Sequence, residues 1–73
     1  EQLALSLVER GTLLGELGRR EEAVAAYDEL ARRYADRPEP AVAQEVARGM
    51  FNKGVWLGEL GRREEAVAAY DEL

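Results

Sequence analysis

The 73-residue sequence contains neither cysteine nor histidine. The chain therefore has no disulfide, no thiolate nucleophile and no imidazole base, and it lacks the usual ligands of a zinc site. Adjacent acids such as Glu21 and Glu22 offer acid–base groups, but they lie in the solvated first turn of a predicted helix. We therefore expect no enzyme, no metal, no cofactor and no small-molecule substrate.

Long apolar runs are also missing. The longest is Ala23 to Tyr27, whereas a membrane helix needs about 20 apolar residues. Gly11 and Gly15 match the close-packing motif of membrane helices, but the adjacent Glu16 excludes lipid, so these glycines predict helix contact instead. We expect a soluble protein with no membrane partner, and the cytoplasm is the favoured compartment. The ends look truncated, so a signal peptide could have been lost.

Clusters of basic residues are absent. The chain carries fifteen acidic and ten basic residues, for a net charge of −5, and the bases are scattered. Nucleic acid is therefore an unexpected partner, because its phosphates require a concentrated positive surface. All the bases except Lys53 are arginine, which together with abundant alanine and glycine favours a GC-rich bacterial source or a designed sequence.

A long internal repeat dominates what the sequence does contain. The segment LGELGRREEAVAAYDEL occurs at residues 14–30 and again at 57–73, an offset of 43 residues. Such a period indicates a solenoid, in which each unit buries its apolar face only against its neighbours. The copies differ mainly before Leu14, as expected for a diversified binding surface, for a recent duplication with unequal drift or for a designed array.

Apolar residues within each copy recur at helical spacing. Gly18 and Gly61 are placed to end the first helix of each pair, and Pro40 fits the first turn of the third helix. The cap of that helix is either Glu39 or Asp36. The pattern predicts four helices, at residues 2–17, 20–35, 40–60 and 63–73.

The order of small and large residues in each copy resembles a tetratricopeptide repeat. In the first copy these residues are Gly11, Leu14, Gly18, Ala23, Tyr27 and Leu30, and in the second they are Gly54, Leu57, Gly61, Ala66, Tyr70 and Leu73. The resemblance covers about 60 of the 73 residues. It implies an all-α fold of tandem helix-turn-helix repeats, an α-solenoid wound as a right-handed superhelix, in which each glycine faces the alanine of its own copy.

Three features depart from the family pattern. The usual period is about 34 residues, which is shorter than the offset found in this chain. Met50 and Leu7 stand where a tryptophan is usual, and the closing proline is displaced to Pro38 and Pro40. The resemblance therefore implies a lengthened variant with a first repeat, an inter-repeat loop and a truncated second repeat, at residues 1–35, 36–39 and 40–73.

The resemblance also implies a binding site. The first helix of each pair lines a concave groove that receives a peptide or protein segment, so we expect a protein–protein interaction scaffold. The implied groove residues are Leu5, Val8, Glu9, Thr12, Glu16, Arg48, Phe51, Asn52, Val55 and Glu59. Asn52 occupies the position that most often binds the backbone of a ligand. Phe51 and Trp56 either anchor an apolar ligand side chain or belong to the core.

The chain ends suggest an alternative function, because neither carries the polar cap that a solenoid needs. The first and last helices expose apolar residues for self-association, namely Leu3, Leu7, Tyr70 and Leu73. These ends predict head-to-tail stacking into an oligomer or filament, or exchange of helices between chains. A third hypothesis is a passive spacer, in which substitutions at Phe51 and Asn52 leave every interaction unchanged.

Overall fold

The computed structural model describes residues 2–73, and this part of the chain forms four α-helices and no strand. The helices are α1 (Gln2–Glu16), α2 (Arg20–Tyr34), α3 (Pro40–Glu59) and α4 (Arg63–Asp71). Each starts where the sequence pattern places it and ends one or two residues earlier. Glu1, the first residue of the expected first repeat, lies outside the described residues. No helix among residues 2–73 is long and apolar enough to cross a membrane.

One glycine follows the first helix of each hairpin, Gly18 after α1 and Gly61 after α3. Gly18 and Gly61 have φ values of 83° and 80°, a conformation in which a Cβ atom would be strained. The amide of Arg19 donates to the carbonyl of Leu14 at 2.9 Å, and Arg62 donates to Leu57 in the same way. This pattern is a Schellman motif, which satisfies the last carbonyls of a helix and reverses the chain within three residues.

The third helix begins at a proline. Pro40 occupies the first turn, where its missing N–H would have had no helical partner, and Glu39 is the N-cap residue with an extended backbone. Asp36 is therefore not the cap. The Glu39 side chain does not cap the helix either, because its carboxylate accepts hydrogen bonds from Arg37 at 3.3 Å. These bonds hold the pKa of the Glu39 carboxyl below its ordinary value.

The helices of each hairpin approach at a glycine that contacts an aromatic ring. A Cβ atom placed on Gly11 would lie 2.6 Å from the ring of Tyr27, and Gly54 has the same relation to Tyr70. The atoms nearest to these glycines therefore belong to the tyrosine rings, and the expected approach to Ala23 and its counterpart stays a prediction. The glycine is needed because the tyrosine ring lies directly against the helix backbone.

Three apolar clusters run along the stack of helices. Each helix packs against the next one in the chain, and α1 also contacts α3. The cluster between the hairpins combines Leu14, Ala23 and Tyr27 with Met50 of α3. At one side of it lies a cluster of Ala4, Val8, Leu30, Tyr34 and Val42, and at the other a cluster of Val24, Leu57, Ala66 and Ala69. The two hairpins therefore share one continuous core, as expected of a helical repeat.

Gly15 and Gly58 occupy the same position in the two copies and provide a matched test of this packing. A Cβ atom on Gly15 would overlap the indole of Trp56, whereas one on Gly58 has nothing within 4 Å. We expect Gly15→Ala to lower the free energy of unfolding by about 1–3 kcal/mol through overpacking. Gly58→Ala should raise it by up to about 1 kcal/mol through helix propensity. Urea unfolding at low protein concentration measures both, and equal effects would contradict the fold.

Candidate binding surface

Side chains from α1 and α3 line one shared surface. The positions are three or four residues apart on each helix and therefore fall on one face. We call this set the α1–α3 surface, and its members are Leu5, Glu9, Thr12, Glu16, Arg48, Asn52, Val55 and Glu59. All of them are exposed or partly exposed. Most of the predicted groove residues therefore lie together on one accessible face.

Two polar contacts hold the halves of this surface together. Arg48 Nη2 lies 3.6 Å from Glu9 Oε2, and Asn52 Nδ2 donates to Thr12 Oγ1 at 3.5 Å. Both contacts join α3 to α1. The Asn52 bond is at the long end of the range for a hydrogen bond and is therefore weak. The Asn52 amide thus lies partly exposed between the two helices, and a stronger acceptor would displace its present bond.

A buried hydrogen bond positions Thr12. The hydroxyl of Thr12 donates to the backbone carbonyl of Val8 at 3.0 Å, and its oxygen lies 3.1 Å from the hydroxyl of Tyr27. Because the proton of Thr12 is used on the carbonyl, Tyr27 acts as the donor. Tyr27 is 0% exposed. The surface is therefore tied through Thr12 to the aromatic ring that spaces the first hairpin.

Val8 does not belong to the surface, and its prediction as a groove residue is wrong. Its side chain is 0% exposed and packs in the cluster formed with Leu30 and Val42. Val8 and Glu9 are adjacent in the sequence, so their side chains lie about 100° apart around the helix. The side chain of Glu9 is exposed, and that of Val8 points into the stack. Sequence spacing alone does not separate these two neighbouring faces.

Phe51 is exposed, although the residue at the same position of the first copy, Val8, lies in the core. It lies 43 residues after Val8, and its side chain is 53% exposed. The Phe51 ring contacts Tyr70 with centroids 5.7 Å apart. It also lines an open pocket of about 460 Å³, together with Ala47 and Leu73 and with Arg48 and Asn52 of the α1–α3 surface. The residues of the first copy that correspond to Ala47, Phe51 and Leu73 form a closed core. Phe51 thus lies between the end of the stack and the α1–α3 surface.

Trp56 fills the junction between the two hairpins. It packs against two of the apolar clusters and covers the backbone of Gly15, so the structure favours the core alternative for this residue. The guanidinium of Arg20 lies over the indole, 5.7 Å from its centroid, and Arg20 also reaches Glu59 at 3.9 Å. A cation over an aromatic face is attracted to it. Nothing in the local sequence around Arg20 predicts this contact, because Trp56 and Glu59 lie far from it along the chain.

Ion pairs also join the hairpins. Lys53 Nζ lies 2.6 Å from Asp28 Oδ1, and Arg62 Nη1 lies 2.9 Å from Glu21 Oε1. Arg62 also donates two hydrogen bonds to Glu65, which hold the pKa of the Glu65 carboxyl below its ordinary value. We call the contacts Lys53–Asp28, Arg62–Glu21 and Arg20–Glu59 the hairpin-joining pairs. Their partners are far apart in sequence, so the local pattern did not predict them.

The predicted self-association residues lie at the two ends of the stack. Leu3 is 45% exposed and Leu7 is half-buried, and both line an open pocket of about 490 Å³ on the first hairpin. Tyr70 and Leu73 are 38% and 61% exposed on the second hairpin. Within residues 2–73, α1 and α4 do not contact each other. No group of acidic residues in this range is placed to hold a metal ion.

The Thr12–Tyr27 hydrogen bond generates a stability prediction. Thr12→Val should lower the free energy of unfolding by about 1–3 kcal/mol, because it leaves the buried Tyr27 hydroxyl without a partner. Combining it with Tyr27→Phe should cost less than the two single changes summed. Val55 stands in the position of Thr12 in the second copy, so Tyr70→Phe is the control and should change stability by less than about 0.5 kcal/mol. Additive effects in urea unfolding would contradict the assignment.

Comparison with known proteins agrees with the fold. The profile of the tetratricopeptide repeat family matches residues 3–37 and 48–73, which include most of both hairpins. No curated protein and no solved structure matches the chain significantly. Since the two matched segments span most of the sequence, the chain belongs to the tetratricopeptide repeat family.

Proposed function

We propose that this chain is a scaffold that binds a protein or peptide segment along the α1–α3 surface. Tetratricopeptide repeats generally mediate protein–protein interaction and are generally non-catalytic. The observation that carries the proposal is the placement of Asn52 beside Thr12, at 3.5 Å, between two half-exposed helix faces. An extended segment lying between these helices would meet the Asn52 amide, which both donates and accepts hydrogen bonds.

The charge of the surface supports a partner with positive residues. Its carboxylates belong to Glu9, Glu16 and Glu59. Arg48 pairs with Glu9 and Arg20 with Glu59, so the excess negative charge is that of Glu16. A segment that carries lysine or arginine would therefore be attracted and steered towards the surface, and salt would weaken its binding. Uncharged segments would depend on Leu5 and the other apolar contacts alone. We therefore propose a basic peptide segment as the preferred ligand.

The apolar residues of the surface supply the remaining contacts. Leu5 is 42% exposed and Val55 is half-buried, so each offers an edge against which an aliphatic ligand side chain can pack. Each buried methylene group contributes about 0.8 kcal/mol. Phe51 borders the surface, because it shares an open pocket with Arg48 and Asn52, and its ring also contacts Tyr70.

The test is selection of peptides from a random display library on the wild-type chain, followed by titration of the selected peptide. We expect enrichment of lysine and arginine, and amide chemical-shift changes that cluster at Thr12, Asn52 and Val55. Asn52→Ala should weaken binding about tenfold through loss of hydrogen bonds to the peptide. Val55→Lys removes the apolar contact and repels a basic peptide, so it should also weaken binding, while Ala68→Lys adds the same charge on α4 and should leave binding unchanged.

Several outcomes would contradict the proposal. One is a set of selected peptides whose shift changes map to Tyr70 and Leu73 instead of the α1–α3 surface. Another is equal binding by the wild-type, Asn52→Ala and Val55→Lys chains, which would favour the passive spacer. The titration is done at low protein concentration, where contacts between copies of the chain do not compete.

A further inference from the structure

The outer face of α4 exposes side chains that are buried at the same positions of α2. In α2, three residues that pack towards α3 are at most 6% exposed, namely Val24, Tyr27 and Leu30. Their identical counterparts 43 residues later are between 38% and 61% exposed, namely Val67, Tyr70 and Leu73. Gly58 is open as well, whereas Gly15 is covered by Trp56. The first hairpin therefore shows how the exposed face of the second is covered.

We propose that this face binds a second copy of the same chain, joined head to tail. The tail surface consists of Gly58, Val67, Tyr70 and Leu73, and the head surface consists of Leu3, Leu7, Arg10 and Leu13. Residues 1–16 align with residues 44–59 of α3 at the offset of the repeat. The α1 helix of the second copy would therefore lie against α4 in the way that α3 lies against α2.

All three hairpin-joining pairs are reproduced at this contact. Lys53–Asp28 becomes Arg10 of one copy with Asp71 of the other, because each residue is replaced by its counterpart at the repeat offset. Arg62–Glu21 becomes Arg19 with Glu64. Arg20–Glu59 becomes Arg63 with Glu16. Each of these three pairs keeps opposite charges, whereas the other ion pair between the hairpins, Arg48–Glu9, becomes Leu5 with Asn52 and is lost. The three retained pairs make the ends electrostatically complementary, which favours this partner and this orientation over others.

The apolar contacts are also reproduced. Where Trp56 covers Gly15 inside the chain, Leu13 of the second copy would cover Gly58. Leu3 and Leu7 take the places of Val46 and Met50, both of which pack near Tyr27. They line the open pocket on the first hairpin, and Tyr70 is the side chain that would enter beside them. The head surface thus presents a concavity, and the tail surface presents the ring that fits it.

Two replacements make the contact between copies weaker than the one inside the chain. Leu13 is smaller than Trp56 and buries less area over the glycine. Ser6 stands at the position of Gly49, where an added Cβ would press on the Cδ2 atom of Leu30. Leu73, the counterpart of Leu30, must move to admit it. We therefore expect association that depends on concentration instead of a permanent complex.

The contact is heterologous, since the head of one copy meets the tail of the other and the pair retains one free end of each kind. Such contacts extend into open chains unless the rotation between copies closes a ring. Association should therefore proceed beyond the dimer as the concentration rises. The α1–α3 surface adjoins this contact at Glu16, and its other residues are not part of the contact, so association would lengthen this surface from one copy to the next.

Sedimentation velocity of the 73-residue chain, from micromolar to millimolar concentration at low salt, tests the proposal through a charge exchange. Arg10→Glu places an acid opposite Asp71, and Asp71→Arg places two bases together, so each variant alone should associate about tenfold more weakly than the wild type. An equimolar mixture should recover association, because every contact between unlike copies then pairs opposite charges.

The matched controls change the same charges away from the contact. Arg32→Glu and Asp36→Arg lie on exposed positions of the first hairpin and the loop, and their mixture should behave like the separate variants. Recovery in the Arg10→Glu and Asp71→Arg mixture alone supports the proposal. A wild type that stays monomeric over the whole range would overturn it and leave the tail surface for another protein. Equal association by all variants would also overturn it.

A variant that is expected to associate more tightly than the wild type provides a second test, because misfolding of the variant would not produce that result. Leu13→Trp restores the tryptophan-over-glycine contact between copies and should tighten association about tenfold through added apolar burial. Adding Gly58→Ala to this variant should abolish the gain, because the new Cβ would overlap the indole as it does at Gly15. The proposed contact would be contradicted if Leu13→Trp did not associate more tightly than the wild type. It would also be contradicted if the tighter association persisted after Gly58→Ala was added.

Discussion

The packing of aromatic rings on bare helix backbone sets the spacing of the whole structure. Tyr27 lies on Gly11 within the first hairpin, and Trp56 lies on Gly15 between the hairpins. Protein interiors are close-packed, so a single added methyl group at such a site forces a shift. The ring at Gly11 also brings its hydroxyl to Thr12. Helix spacing, the stacking of hairpins and the position of the binding surface therefore depend on the same kind of contact.

Local patterns in the sequence predicted where the helices begin and end, but they did not predict which side chains meet between the helices. Gly18 and Pro40 mark a helix end and a helix start because their backbone preferences act within one turn, and both were predicted. The ring that lies against Gly11 was not predicted, because contacts of that kind depend on where a side chain one turn beyond Ala23 points. Val8 was assigned to the wrong face for a similar reason, since two faces about 100° apart satisfy nearly the same spacing.

The repeat shows that the burial of a residue depends on which helices pack against it and not on its local sequence alone. Tyr27 and Tyr70 lie in identical 17-residue segments, yet one is 0% and the other 38% exposed. One difference is that α3 packs on α2, whereas no helix of the described residues packs on the outer face of α4. For the same reason Phe51 is exposed, while Val8 is core. The surface that we propose for a ligand and the surfaces that we propose for self-association therefore lie largely on different parts of the chain.

The central claim is that rings lie on glycine backbone at three positions and not at the fourth. Nuclear Overhauser effects between glycine Hα atoms and aromatic ring protons measure this directly in the dilute chain. We predict cross-peaks from Gly11 to Tyr27, Gly54 to Tyr70 and Gly15 to Trp56, with none from Gly58 to any ring. Missing cross-peaks at the first three glycines, or a cross-peak at Gly58 equal to that at Gly15, would contradict the account.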